Sequence, residues 1–282
     1  MSSPFWQTSR FKLDLSQPKV MGILNLTPDS FSDGGRLSAL SVALKQAQTL
    51  VEQGADILDI GGESSRPGAE PVSADEELKR IIPFLREAVH WNVPISVDTY
   101  KPEVMQAALD LGADIVNDIW ALRQPGALTV IEKHPQCGVC LMHMHKEPQT
   151  MLDEPMSGDA LAQVKAFLAQ QLSLLMASGI QANRIVLDPG IGFGKTLAQN
   201  ISLLQHQEAL LSLKQPILAG WSRKGSLGKL TARGGQSPQA NDRLGASVAA
   251  ALIALQKGAS VVRVHDVKET VQALRVWQAV KI

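Results

Sequence analysis

Ala55-Asp56-Ile57-Leu58-Asp59-Ile60 runs directly into Gly61-Gly62-Glu63-Ser64-Ser65-Arg66-Pro67-Gly68. The first stretch is strand-like and too short for a helix. The second is a polar, glycine-rich turn. Beyond it Ser73-Ala74-Asp75-Glu76 reads as a capping box, opening a helix through about His90. Strand, polar turn and returning helix form one βα unit. The unit then repeats along the chain. Val20 to Leu24 runs into Asn25, Pro94 to Val97 into Asp98, and Asp114 to Val116 into Asn117-Asp118. Val139 to Met142 runs into His143, and Ile185 to Leu187 into Asp188-Pro189-Gly190. Pro216 to Trp221 runs into Ser222-Arg223-Lys224, and Ser260 to Val264, which holds Arg263, into His265-Asp266.

Helical patterns separate these runs. Leu40 to Gln53 closes at Gly54, and a helix opened by Pro102 stops at Gly112. Ala127 to Lys133 follows Pro125, Leu161 to Ala177 ends before Gly179, and Asn200 to Leu213 reads as one helix. Leu244 to Lys257 ends at Gly258, and Val267 to Val280 comes last. No hairpin signal joins neighbouring strands, so the sheet is expected to be parallel with helical crossovers. Near-continuous apolar strands suit a sheet covered on both faces. An open doubly wound sheet is the alternative. The eight runs, each ending in polar or glycine-rich residues, favour an α/β fold of the (β/α)8 TIM-barrel type. The expected layout is a single barrel over residues 18–282 behind an N-terminal extension of residues 1–17.

The chain has 282 residues, 45% apolar and 19% charged, enough for one large core. Its 27 basic and 27 acidic residues cancel, and aromatics are only 4%, which speaks against a nucleic-acid or acidic-membrane partner. MSSPFWQTSRFKLDL lacks the charged and apolar regions of a secretory signal, and the most apolar stretch, Ala246 to Leu255, is too short to span a bilayer. A cytoplasmic protein without a membrane partner is expected. Gly245 to Leu255 is apolar almost all round, where an outer barrel helix needs one apolar stripe. That second face predicts a homodimer.

Cys137 and Cys140 form a C-x-x-C at the start of a strand. A spacing of three there sends the side chains to opposite faces, so buried hydrophobes are expected rather than a zinc or redox pair. Asp188 to Thr196 resembles a Walker A loop, but Pro189 stands where its first glycine belongs. His143-Met144-His145 alternates as a strand would, a pattern that in barrel hydrolases holds metal, but its partners are scarce among six histidines. A loop-anchoring role is favoured. Asp98, Asn117 and Asp188 form a set able to read the N–H, amino and carbonyl edge of a fused heterocycle. Ser222-Arg223-Lys224 and Arg263-Val264-His265 bring cations to the last two strand ends, where barrels of this kind often bind phosphate. Asn25 offers a hard oxygen suited to a phosphate-bridging Mg2+. Asn25 to Gly35 reads as a mobile loop able to close over a ligand.

From about Val20 to the C-terminus these motifs resemble dihydropteroate synthases. The resemblance rests on Met21 to Gly35 (MGILNLTPDSFSDGG), Asp59 to Gly68 (DIGGESSRPG), Val97-Asp98-Thr99 and Asn117-Asp118-Ile119. Asp188-Pro189-Gly190, Ser222-Arg223-Lys224 and Arg263 to Val267 complete it in the right chain order. It implies condensation of 4-aminobenzoate with 6-hydroxymethyl-7,8-dihydropterin diphosphate, the sulfonamide-sensitive step of folate synthesis. It further implies that Asp98, Asn117, Asp188 and Lys224 hold the pterin. Asn25 would ligate Mg2+, and Arg263 with His265 the diphosphate. Ser65, Arg66, Pro67, Phe193 and Ser222 would line the aminobenzoate site, with Asp29 and Phe31 on the closing loop. Lys224, Asp98, Asp188 and Arg263 would carry the catalysis. The sequence departs from the family pattern at Ser65, where Thr is frequent, at Gly225, where a larger residue is common, and in the bulk of Trp221. These departures bear on sulfonamide affinity. A pterin-dependent methyltransferase and an inactive pterin-binding protein are the alternatives; the Ser64 to Pro67 loop and the Arg263/His265 pair favour diphosphate chemistry.

Overall fold

The computed structural model describes residues 4–26, 36–64, 66, 68–147, 149–151 and 153–280. Strands β3 (Lys19–Asn25), β4 (Ile57–Gly61), β5 (Ile95–Asp98), β6 (Ile115–Asp118), β7 (Gly138–Met142), β8 (Ile185–Asp188), β9 (Leu218–Ala219) and β10 (Val261–Val264) form one eight-stranded sheet. Its order is β8-β7-β6-β5-β4-β3-β10-β9, and every pairing within it is parallel. A parallel bridge between Leu187 and Ile217, with Leu187 N–H donating to Pro216 O at 3.0 Å, joins β8 to β9 and brings the sheet round into a barrel. The closed reading therefore holds over the doubly wound one. The seventh strand is shorter than the run Pro216 to Trp221 suggested. Pro216 has no N–H to donate, and beyond Ala219 the chain departs through Gly220 toward the turn at Ser222.

Outer helices follow in turn: α1 (Arg36–Glu52), α2 (Ala74–Ala88), α3 (Pro102–Asp110), α4 (Ala127–Lys133), α5 (Ala160–Ala177), α6 (Leu197–Gln205), α7 (Gly225–Leu230), α8 (Leu244–Gln256) and α9 (Val267–Val280). Local chemistry sets their ends. Ser73 Oγ accepts from Glu76 N–H at 3.2 Å, but Glu76 does not complete the expected capping box; its carboxylate takes Arg80 at 3.0 Å instead. A full box forms elsewhere, between Thr196 and Gln199 at the start of α6. The helix read over residues 200–213 is two pieces, α6 and a 3-10 segment, Gln207–Leu213, meeting at His206. α5 is long and apolar enough to cross a membrane by composition, yet Val164, Leu168, Leu172 and Leu175 are buried in the outer core.

The strand period of two explains where chemistry can sit. Met21, Ile57, Ile115, Cys140, Val186, Leu218 and Val261 form one apolar layer inside the barrel. Two residues further along the same strands come Ile23, Asp59, Asn117, Met142, Asp188, Gly220 and Arg263. The apolar layer thus becomes the floor of a polar one. Cys140 belongs to that floor while Cys137 packs in the outer core, so the two thiols do face opposite ways; both are free.

Below the floor, β1 (Phe5–Gln7) and β2 (Lys12–Asp14) form an antiparallel hairpin. Trp6 is fully buried among the floor residues, and its indole N–H donates to Arg184 O at 2.9 Å. A Cβ on Gly138 would stand 2.9 Å from that indole nitrogen, so β7 must begin with glycine where Trp6 enters. Trp6→Ala is expected to lower the unfolding free energy by about 3–5 kcal/mol. Urea titration checks this; a change under about 1 kcal/mol would show that the hairpin does not support the barrel.

Candidate active site

Arg263, two residues above the apolar floor, is the centre of the polar layer. Its Nε donates to Asp59 Oδ2 at 2.6 Å and its other guanidinium edge to Asp98 Oδ2 at 2.6 Å. Asn117 Nδ2 donates to the same Asp59 oxygen at 3.2 Å. Burial works against the Arg263 charge, but Asp59 and Asp98 outweigh it and hold its pKa above the usual value. Asp98 is pushed up to about 7, first by burial and then by Asp59 and Glu77, against the pull of Arg263. Asp188 is also raised by burial, although Gly190 N–H donates to its Oδ1 at 2.7 Å.

The cavity above this layer has a volume of about 350 Å³. Asn25, Arg66, Asp98, Phe193, Ser222, Lys224, Arg263 and His265 line it together. Asn117 and Asp188 are buried outside that lining. Asn117 connects to the cavity through Asp59 and Arg263, while the Asp188 charge is felt by Lys224. Asp29, Phe31, Ser65 and Pro67 lie outside the described residues.

Lys224 begins a short helix, α7, and its ammonium sits over the Phe193 ring at 4.1 Å. Burial lowers its pKa to about 8, with Arg263 adding to the effect and Asp188 and Asp98 opposing it. A Cβ on Gly192 would press against Lys224 Cδ at 3.3 Å, so the glycine makes room for the lysine stem. Gly225 has open space at its Cβ position and is not sterically required. Trp221 is buried in the outer core rather than in the cavity.

Two expected cations are not available as such. Arg223, at a left-handed φ of 59°, is bound to Asp266 at 2.5 and 3.1 Å and to Asn241 at 2.7 Å. This leaves it holding the turn that presents Lys224. His265 Nδ1 lies 3.0 Å from Ser222 Oγ, and burial, with Arg263 and Arg223 nearby, drives its pKa down to about 3. A neutral ring offers hydrogen bonds but no charge. Positive charge at the cavity comes from Arg263, Lys224 and the exposed Arg66, with Lys195, Lys229 and Arg243 also on its wall.

Asp59, quoted above without a role, lies inside a strand rather than at its end; its two-residue offset from Ile57 is the signal that marks it. Nothing along the chain marks the cluster in which Lys101 bridges Glu63 and Glu77. Glu63 further accepts from Tyr100 OH at 3.1 Å and Val72 N–H at 3.2 Å, drawing together both ends of the loop that carries Arg66. The histidine pair is not on a strand: β7 ends at Met142, and His143 Nδ1 lies 2.9 Å from Lys195 Nζ. Among the described residues no group of three His, Cys, Asp or Glu is placed to hold a metal.

Fold and site together define a (β/α)8 barrel of the enzyme kind, with a cation-lined mouth over carboxylates that suits an anionic substrate. Residues 21–265 match the model of the pterin binding enzymes. The dihydropteroate synthase of Neisseria meningitidis serogroup B is 47% identical over 287 residues, covering 100% of this chain and 99% of that protein. The Xanthomonas albilineans dihydropteroate synthase with 4-aminobenzoic acid superposes with a TM-score of 0.91 at 47% identity, covering 99% of this chain and 98% of that one. The Burkholderia cenocepacia enzyme complexed with 7,8-dihydropteroate gives 0.88 at 47% identity, over 99% and 97% of the two chains. The chain belongs to the dihydropteroate synthase family of pterin-binding enzymes.

Proposed function

We propose that the chain joins 4-aminobenzoate to 6-hydroxymethyl-7,8-dihydropterin diphosphate, releasing diphosphate, by a dissociative substitution assembled around Arg263. The observation that carries the mechanism is one guanidinium held at 2.6 Å by two buried carboxylates, at the wall of a cavity that also holds Lys224. The pterin edge binds at Asp98, Asn117, Asp188 and Lys224, and the diphosphate at Arg263 and the neutral His265. As the C–O bond to the diphosphate lengthens, negative charge grows on the leaving group and positive charge spreads into the pterin. Arg263 and Lys224 stabilise the first, Asp98 and Asp188 the second. The arylamine is neutral at pH 7 and already nucleophilic. That accords with a cavity wall in which the one histidine is held neutral and bonded to Ser222. Arg66, Phe193 and Ser222, with Ser65 and Pro67, receive the arylamine.

Asn25 would hold Mg2+. A single neutral oxygen on the cavity wall suits an ion that keeps several waters and takes its remaining ligands from phosphate. When bound, the ion neutralises charge on the departing diphosphate. Multiple-turnover release of diphosphate is expected to require both 4-aminobenzoate and Mg2+. In a single turnover, release is expected without 4-aminobenzoate. Strict dependence on the arylamine in that experiment would overturn the dissociative order, and no release with all components would overturn the activity.

The same reading includes a homodimer through α8 and α9. These helices pack together, and Leu244, Ile253, Val276 and Val280 remain exposed on them. Sedimentation showing only monomer at micromolar concentration would overturn it. The two free thiols accord with a reducing, cytoplasmic setting.

A further inference from the structure

We propose that Lys195 and His143 form a buried staple that positions Phe193, and thereby sets the affinity for the arylamine through the loop backbone that carries the ring. The inference rests on the aminobenzoate reading of the Phe193 wall. Lys195 borders the cavity but is only 4% exposed, and the proposed reaction does not use it. Its ammonium lies 2.8 Å from Gly190 O, 2.9 Å from His143 Nδ1 and 3.1 Å from Phe193 O, with His143 O further off at 3.4 Å. An ammonium carries three protons, and the three nearer acceptors match them.

His143 is built to accept. Burial and the Lys195 charge drive its pKa to about 3, so the ring is neutral. Nδ1 can then take the Lys195 proton with the ring's own proton on Nε2. The ring is held edge-on to Phe167, with centroids 5.0 Å apart.

The backbone around the pair leaves little freedom. Gly190, Gly192 and Gly194 have φ of +67°, +82° and +69°. A Cβ on Gly190 would overlap the His143 carbonyl, and one on Gly194 would stand 2.5 Å from the His145 carbonyl. The loop after β8 thus lies directly on the segment after β7. Asn200 ties its far side, accepting from Gly192 N–H at 2.8 Å and donating to Lys195 O at 3.2 Å. Phe193 is the residue whose carbonyl Lys195 takes, and its ring lines the cavity beneath Lys224. Burying an ammonium is expensive, and apolar packing would serve stability as well or better. Burial lowers the Lys195 pKa to about 7, and its three close partners accord with a need to fix one loop geometry. The segment after β7 gains a role by this account: it supplies the acceptor that locks its neighbour.

Lys195→Met is expected to raise the KM for 4-aminobenzoate by about tenfold or more, with the KM for the pterin diphosphate within about twofold and kcat at saturating arylamine within about threefold. His143→Leu is expected to give the same split. His143→Gln, which restores a side-chain acceptor, should recover most of the affinity. Equal rises in both KM values overturn the proposal, as does an unchanged arylamine KM in either folded variant, or a glutamine variant no better than leucine. If Lys195→Met does not fold, the two His143 variants decide. An unmodified protein without arylamine-dependent diphosphate release would instead overturn the functional reading on which the staple depends.

Discussion

Arg263→Met is expected to lower kcat/KM for the pterin diphosphate by at least about 100-fold, or about 2.7 kcal/mol of transition-state binding. Two losses add. The leaving diphosphate loses its best-placed cation, and Asp59 and Asp98 lose the guanidinium that holds them both at 2.6 Å. Removing one partner of a buried ion pair costs about 3–5 kcal/mol, so stability should fall as well as activity. The pH dependence identifies the cause. Burial already raises Asp98 to about 7 with Arg263 present, and without it the carboxyl rises further. A carboxyl whose folded pKa exceeds its unfolded value of about 3.9 gives a fold that binds more protons than the unfolded chain, so stability declines as pH rises through that window. Urea midpoints should therefore show a larger deficit for the variant at about pH 8 than at about pH 5. A deficit independent of pH would mean that Arg263 acts through packing alone.

Lys224→Met is expected to lower kcat/KM by at least about tenfold, about 1.4 kcal/mol. It should also change the shape of the pH profile. The Lys224 ammonium titrates at about 8, lowered first by burial and then by Arg263. Since kcat/KM reports groups of the free enzyme, the unmodified protein should lose activity as pH rises through about 8. The variant has no ammonium to lose, so its residual activity should lack that alkaline limb. A wild-type rate would remove Lys224 from the site. A variant that kept the limb would assign it to another group, with Lys195, lowered to about 7, the first to test. The Met side chain keeps most of the stem beside Phe193, so packing loss contributes little to the comparison.

Much of this molecule was legible along the chain. Eight short runs ending in polar or glycine-rich residues implied parallel strands with one functional end, because a parallel strand can reach its neighbour only through a crossover. The strand-end residues Asn25, Asp98, Asn117, Asp188 and Lys224 were visible for the same reason. Asp59 was passed over because a charge inside a strand carries no such mark. Its value depends on a partner, Arg263, 204 residues away in sequence. The capping box at Ser73 was half right: Ser73 does cap, but Arg80, one turn along the helix, claims the glutamate.

The fold class and the end of the barrel that carries chemistry follow from periodicity along the chain, and the family from the resemblance of motifs contiguous in it. Charge state and pairing depend instead on contacts that form when the chain folds. Burial and neighbours from distant strands make His265 neutral, bind Arg223 to Asp266, suspend Arg263 between two carboxylates and set Lys195 on His143. A side chain's charge depends on the medium and the groups around it, and those are fixed only when the barrel closes.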